Sequence, residues 1–161
     1  MYKRILLALD NSRAARLALD EALKMARAAD GTVLVVAVVE HVIPIGDVQT
    51  GFYDDQAFGA VAHEAAEAEV KRAKERCTAD NVLVMSRVID SYGQSVAHVI
   101  VDAAAELEAD LIAMGTHGHR GAGRVLLGSV AESVLRLSNV PVLAVRDATP
   151  YDTDEALASG S

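Results

Sequence analysis

Cys77 is the chain's one cysteine, so no intramolecular disulfide can form and no multi-cysteine metal cage is possible. It lies in a polar, helix-like stretch and reads as a free thiol. Basic clusters are lacking too. Fifteen Lys and Arg stand against 23 Asp and Glu, a formal charge of −8, whereas a duplex nucleic-acid binder needs a basic patch that displaces phosphate counterions. Nucleic acid is therefore not an expected partner. Long apolar runs are missing as well: MYKRILLALD holds five apolar residues before Asp10, too few for the core of a secretion signal or for a membrane span. The expectation is a cytoplasmic protein with no membrane partner.

What is present fits one domain. A chain of 161 residues can enclose a full core but is short for two. Residues 1–146 are read as that domain and 147–161 as a tail. The tail holds four acids (Asp147, Asp152, Asp154, Glu155) and no base, half of the chain's excess negative charge. Its polar, acidic composition predicts disorder.

Apolar runs recur at Ile5 to Leu9, Val33 to Val39, Val82 to Met85, Leu111 to Met114 and Val140 to Val145. They do not alternate with polar residues, as expected of strands covered on both faces in a parallel sheet. Between them lie helical patterns. After Ser12, residues Ala15, Leu19, Ala22, Leu23 and Ala26 share one side, and Gly31 stands where a C-terminal cap is expected. A second helix is expected over about Asp55 to Thr78, with Glu67 and Lys71 spaced for an i,i+4 pair. Val96, Val99, Ile100, Ala103, Ala104 and Leu107 form the cleanest stripe, capped by Ser95 or Ser91. The last helix begins at Ser129 and ends near Ser138 and Asn139, because Pro141 cannot continue it. Strands alternating with helices predict an α/β, doubly wound sheet. The segment His41 to Asp54 reads as a long loop after strand two.

The segment GTHGHRGAGRVLLGS, Gly115 to Ser129, bears most directly on function. Glycine lets backbone approach a bulky ligand, and a helix start offers unpaired N–H donors and positive dipole, which together suit a phosphate. Gly118 and Gly128 would turn N–H groups toward phosphate oxygens, Ser129 adds a hydroxyl, and His117, His119, Arg120 and Arg124 add polar or positive groups. If the strand order is 3-2-1-4-5, the winding reverses between strands one and four, and Asp10 faces the Gly115 turn across one crevice. Asp10 then serves either a ribose, whose vicinal hydroxyls a carboxylate can accept from, or the first helix as its cap. Val38 and Met114 either sandwich an adenine ring or belong to the core. His117 and His119 could ligate a metal, but a zinc site wants three protein groups and a third is missing nearby.

With these residues assembled, the chain resembles the universal stress protein family, the UspA-type domain, in its ATP-binding branch. The resemblance spans Met1 to Arg146. It rests on the motif GxxG, nine residues, then Gly followed by Ser or Thr, here Gly115, Gly118, Gly128 and Ser129, within MGTHGHRG, LLGSVAESVLR and VPVLAVR. It implies a Rossmann-like, adenine nucleotide α-hydrolase-like sheet of five parallel strands in the order 3-2-1-4-5. It also implies a homodimer joined along the last strand, Val140 to Val145. Carried over by position, Ala8, Asp10 and Val38 would contact the nucleoside. Met114, Gly115, Thr116, His117, Gly118, His119, Arg120, Gly121, Gly128, Ser129, Val130 and Ala131 would surround ribose and phosphates. A divalent metal, Mg or Mn, would be held through the phosphates. The chain departs from the family where relatives often carry Gly-x-Pro ahead of helix three: here stand Asp90, Ser91, Tyr92, Gly93 and Gln94.

The loop is not a Walker A motif, since it has no GKS or GKT and no lysine. No residue is evident that would align water with a γ-phosphate, and Asp10 is the only carboxylate expected in the crevice. The primary expectation is a nucleotide-dependent regulatory, stress-response protein with at most slow ATP hydrolysis and an unidentified protein partner. The alternatives are an enzyme that cleaves or transfers at the α-phosphate of ATP, and a partner-binding stress protein without nucleotide.

Overall fold

The computed structural model describes residues 1–41, 55–116 and 127–148. Strand and helix alternate throughout: β1 (Arg4–Leu9), α1 (Arg13–Ala29), β2 (Thr32–Val39), α2 (Asp55–Ala79) and β3 (Leu83–Asp90), then α3 (Val96–Glu106), β4 (Leu111–Gly115), α4 (Ser129–Leu137) and β5 (Val142–Val145). The five strands form one parallel sheet in the order β3-β2-β1-β4-β5. Fold class and strand order are those expected.

The unalternated runs sort by parity into two cores. Ile5, Leu7, Leu9, Val33, Val35 and Ala37 cluster with Ala18, Leu19, Ala22 and Leu23 of α1 and with Val70, Ala73 and Cys77 of α2. Leu6, Ala8, Leu34, Val36, Ile112 and Met114 cluster with Ala97, Ile100 and Ala103 of α3 and Val134 of α4. Fully buried side chains such as Ile5 and Leu34 each stabilise the fold by roughly 1.5–3 kcal/mol relative to exposure. Cys77, read from sequence as lying in a polar stretch, is fully buried, on the inner face of α2.

β3 is longer than its apolar run. Val82 precedes it, and the strand continues through Ser86 and Arg87 to Asp90. It is an edge strand with much of its surface exposed, Leu83 and Met85 included; a search for continuous apolar residues therefore stops at Ser86. β5, the opposite edge, begins at Val142 rather than Val140, after Pro141.

The helix ends refine several expectations. Ser12 caps α1 by accepting the Ala15 N–H at 3.1 Å. At the other end Asp30, not Gly31, takes the left-handed cap conformation with φ 51. Gly31 has a different reason to be glycine: a Cβ there would lie 2.7 Å from the Lys3 carbonyl oxygen. Ser95 caps α3, accepting the His98 N–H, while Ser91 is buried and donates its backbone N–H to the Val39 carbonyl at 2.9 Å. Glu67 lies 3.3 Å from His63 instead of pairing with Lys71, so the expected i,i+4 contact on α2 runs in the opposite direction along the helix. α4 ends at Leu137 with Ser138 as its cap residue, as expected.

Candidate functional site

The strand order puts the reversal of winding between β1 and β4, and a cavity of about 560 Å³ opens at the carboxyl ends of those strands. That size suits a small ligand. Register and pleat build its wall. Ala8 lies beside Val36 on one side and Met114 on the other. Because side chains alternate between faces, Ala8 and Asp10, Val36, Val38 and Glu40, and Met114 and Thr116 fall on the same side of the sheet. All seven line the cavity, together with Leu9, Gly115, Gly128, Ser129, Val130 and Ala131.

Ten residues singled out from sequence therefore meet in one place: Ala8, Asp10, Val38, Met114, Gly115, Thr116, Gly128, Ser129, Val130 and Ala131. His117, Gly118, His119, Arg120 and Gly121, with Arg124, lie outside the described residues, as does the loop segment 42–54. Val36, Glu40, Val96 and Ile100 also line the cavity and were missed. Glu40 corrects the expectation that Asp10 is the only carboxylate there. Its signal was available, since it stands two residues past Val38 and so on the same face of an extended strand.

Asp10 is not the helix cap; Ser12 is. Asp10 Oδ1 accepts the Ser12 N–H at 2.9 Å and also the Ser12 hydroxyl. The carboxylate is exposed, and its Oδ2 takes no bond from the described residues. One oxygen thus fixes the junction between β1 and α1, and the other faces the cavity side without a bond from the described residues.

Gly115 is glycine for a packing reason. A Cβ there would lie 2.8 Å from both Ala14 Cβ and the Ala15 nitrogen. The end of β4 is pressed against the first turn of α1, and this close approach draws the two sides of the crevice together. Next along, the buried Thr116 donates its N–H to the Val145 carbonyl at 2.9 Å and accepts the Gly128 N–H at 2.7 Å. The Gly128 N–H, which sequence suggested would face a phosphate, is thus bonded to the Thr116 carbonyl.

The donors that open α4 lie one step further. Gly128 is the cap residue of α4, and no side chain among the described residues caps that helix, in contrast to α1 and α3. The N–H groups of Ser129, Val130 and Ala131 open the helix, and the first intrahelical bond returns from Glu132 N–H to the Gly128 carbonyl at 2.9 Å. These donors and the helix dipole favour an anion at that wall of the cavity.

A second groove, about 800 Å³, runs between α2 and β3 and is lined by Lys71, Lys74, Arg87 and Val88. It borders the middle of an edge strand rather than strand ends, and no helix start points into it.

Beyond Glu40, His41 Nε2 lies 2.9 Å from Asp90 Oδ1, and His63 Nδ1 lies 3.7 Å from the same oxygen. The Tyr92 ring stacks on His41 with centroids 5.4 Å apart. The hydrogen bond from His41, reinforced by the positive charge that the two imidazoles can carry, holds the Asp90 carboxyl below the usual carboxylate range, against a smaller opposing effect of burial. Among the described residues no group of three His, Cys, Asp or Glu side chains is arranged to hold a metal ion. No helix among them is long and apolar enough to cross a membrane.

A doubly wound α/β domain with a crevice at its reversal point, bordered by a helix start, is the class defined by these observations. The model of the universal stress protein family matches residues 1–146, and the chain belongs to that family. Universal stress protein A homolog 1 of Coxiella burnetii is 34% identical over 145 residues, covering 89% of this chain and 96% of that protein. Among solved structures, a universal stress protein family member from Burkholderia pseudomallei is 33% identical with a TM-score of 0.73, over 89% of this chain and 96% of that one. The universal stress protein from Archaeoglobus fulgidus, solved in complex with dAMP, is 25% identical with a TM-score of 0.62, over 89% and 98%.

Proposed function

We propose that the crevice binds ATP and that the protein is a cytoplasmic, nucleotide-dependent regulatory member of its family. The observation that carries this reading is the convergence of two chemistries: an Asp10 oxygen that takes no bond from the described residues, suited to ribose hydroxyls, and the start of α4, which no described side chain caps, suited to phosphate. Val38 and Met114 between them provide apolar surface for a base. Residues 117–121, outside the described residues, belong to the proposed set. That a relative of the same fold carries dAMP supports an adenine nucleotide as the ligand class.

The donor set suits holding more than cleaving. Asp10 and Glu40 are the two carboxylates described in the cavity, and Asp10 is already committed through one oxygen to Ser12. Mg or Mn would come to such a site on the phosphates. Turnover is accordingly slow, and occupancy is the signal. Residues 1–146 act as one domain, and two copies join along β5. Isothermal titration with ATP tests the reading: saturable binding at micromolar to millimolar concentration supports it, and no heat at millimolar ATP ends it.

A further inference from the structure

A polar cluster lies on the face of the sheet away from the crevice. His41 follows Glu40 past the end of β2 and so turns toward the side that α1 and α2 cover. There Glu67 Oε1 lies 3.3 Å from His63 Nε2, Asp90 Oδ1 lies 3.7 Å from His63 Nδ1, and the same Asp90 oxygen lies 2.9 Å from His41 Nε2. Three elements meet in this row: the end of β2, the end of β3, and α2. Packing holds the row in place. Tyr92 stacks on the His41 ring, and a Cβ at Gly59 of α2 would lie 3.2 Å from His41 Cε1. The side chains of His41 and Asp90 are 29% and 23% exposed, so their charges are screened less than those of open surface groups.

His63 is the informative member. It meets a carboxylate at each ring nitrogen, whereas a neutral imidazole carries one N–H and presents a lone pair at the other nitrogen. A lone pair repels a carboxylate. Only the imidazolium, a donor at both positions, is attracted to Glu67 and Asp90 together. No Lys or Arg among the described residues pairs with either acid, and the neighbouring acids Glu40 and Glu64 bond to neither ring. Glu67, His63, Asp90 and His41 therefore carry two negative charges when both rings are neutral and no net charge when both are protonated. We propose that the cluster is a proton-operated latch, in which the charged form of His63, with His41, ties α2 to the ends of β2 and β3, and loss of those protons loosens α2. Imidazole is the side chain that changes charge between about pH 5 and pH 8. Because protons favour the tied form, the added stability is present at the acidic end of that range and is lost as pH rises. The latch sits behind the crevice wall, since the same strand end carries Val38 and Glu40 on its other face.

The test is native-state hydrogen exchange on the full chain without nucleotide, so that its outcome stands apart from the function proposed above. Protection of residues 59–70 in α2 is compared with that of α1 between about pH 5.5 and about pH 8, each rate corrected for the intrinsic pH dependence of exchange. The unmodified protein should lose about three- to tenfold of this relative protection on going to the higher pH, the scale of one or two partly shielded ion pairs. His63→Gln keeps a polar side chain but gains no proton, and should stay at the high-pH level throughout. Asp90→Asn removes the acid that both rings share and should flatten the profile as well. His98→Gln alters an exposed imidazole bonded to the α3 cap residue Ser95 and should leave the profile unchanged. A flat profile in the unmodified protein overturns the proposal whatever the variants do. So does a slope undiminished in His63→Gln, or one lost equally in His98→Gln, since α2 would then respond to overall charge and not to this row.

Discussion

Ser12 and Asp10 are locked together: the Ser12 N–H donates to Asp10 Oδ1 at 2.9 Å, while Ser12 Oγ accepts the Ala15 N–H at 3.1 Å. The cap of α1 and the orientation of the proposed ribose acceptor are thus one unit. The two contributions separate by mutation. Ser12→Ala should lower unfolding free energy by about 1 kcal/mol, the usual cost of losing a helix cap. Asp10→Asn keeps an acceptor for Ser12 but removes the charge, and should weaken ATP about tenfold with little change in stability. Calorimetric titration alongside urea unfolding distinguishes them. An Asp10→Asn protein that binds like the parent would mean that the carboxylate serves the turn alone.

Gly115 bears on the same junction from the other side. Its missing Cβ is where Ala14 Cβ and the Ala15 nitrogen approach to 2.8 Å, and neither is the far end of a flexible side chain. Gly115→Ala must push β4 and α1 apart. A cost of about 1–3 kcal/mol is expected in urea unfolding, together with weaker nucleotide binding, because Asp10 moves with the start of α1. An undiminished unfolding midpoint would show that the two elements yield more readily than their packing implies.

Asp90 links the ends of β2 and β3 and should leave a mark on stability against pH. Its carboxyl is held below the ordinary value, first by the hydrogen bond from His41. A depressed carboxylate stabilises the fold above its unfolded pKa of about 3.9, and this contribution is lost as pH falls through the lower folded value. Asp90→Asn should therefore be less stable than the parent near neutrality, and the gap should narrow on acidification to about pH 3. Denaturation curves at several pH values measure the gap. A constant difference down to that pH would show that the ionised form of Asp90 has no special role.

The fold was readable because β1, β2 and β4 are covered on both faces, so their runs are uninterrupted and parity alone assigns each residue to one of two cores. β3 was only half readable. As an edge strand it mixes Ser86 and Arg87 into its course, and apolar continuity no longer marks its extent. In the site, the glycine spacing drew attention to the turn after β4, yet it could not tell which N–H groups are already bonded. That depends on Thr116 claiming the Gly128 N–H, a contact between segments twelve residues apart in sequence. Asp10 was read as either a ribose acceptor or the cap of the first helix, and the hydrogen-bond geometry gives the cap to Ser12 instead. Glu40 was overlooked for a different reason: attention rested on the apolar run, and the run ends one residue earlier.

β5 is an apolar edge of the sheet with one side unpaired within the single chain. Its neighbour β4 is buried from Leu111 to Met114, but Val142, Leu143, Ala144 and Val145 are all only half-buried within one chain. Leu135 and Leu137 on the adjoining α4 are exposed. An apolar strand with one side unpaired is a template for another strand, and a two-fold mate that pairs along it removes the liability in both copies at once. Sedimentation of the unmodified protein should accordingly give a dimer. Val142→Lys places an ammonium in the middle of that contact, where burial without a partner costs several kcal/mol, and should yield monomers. Leu143→Asp should do the same with the opposite charge, which excludes an effect of one sign acting at a distance. Because both side chains are partly solvated in the single chain, the monomers should retain their circular dichroism. Dimers that persist in both variants would place the interface on another surface.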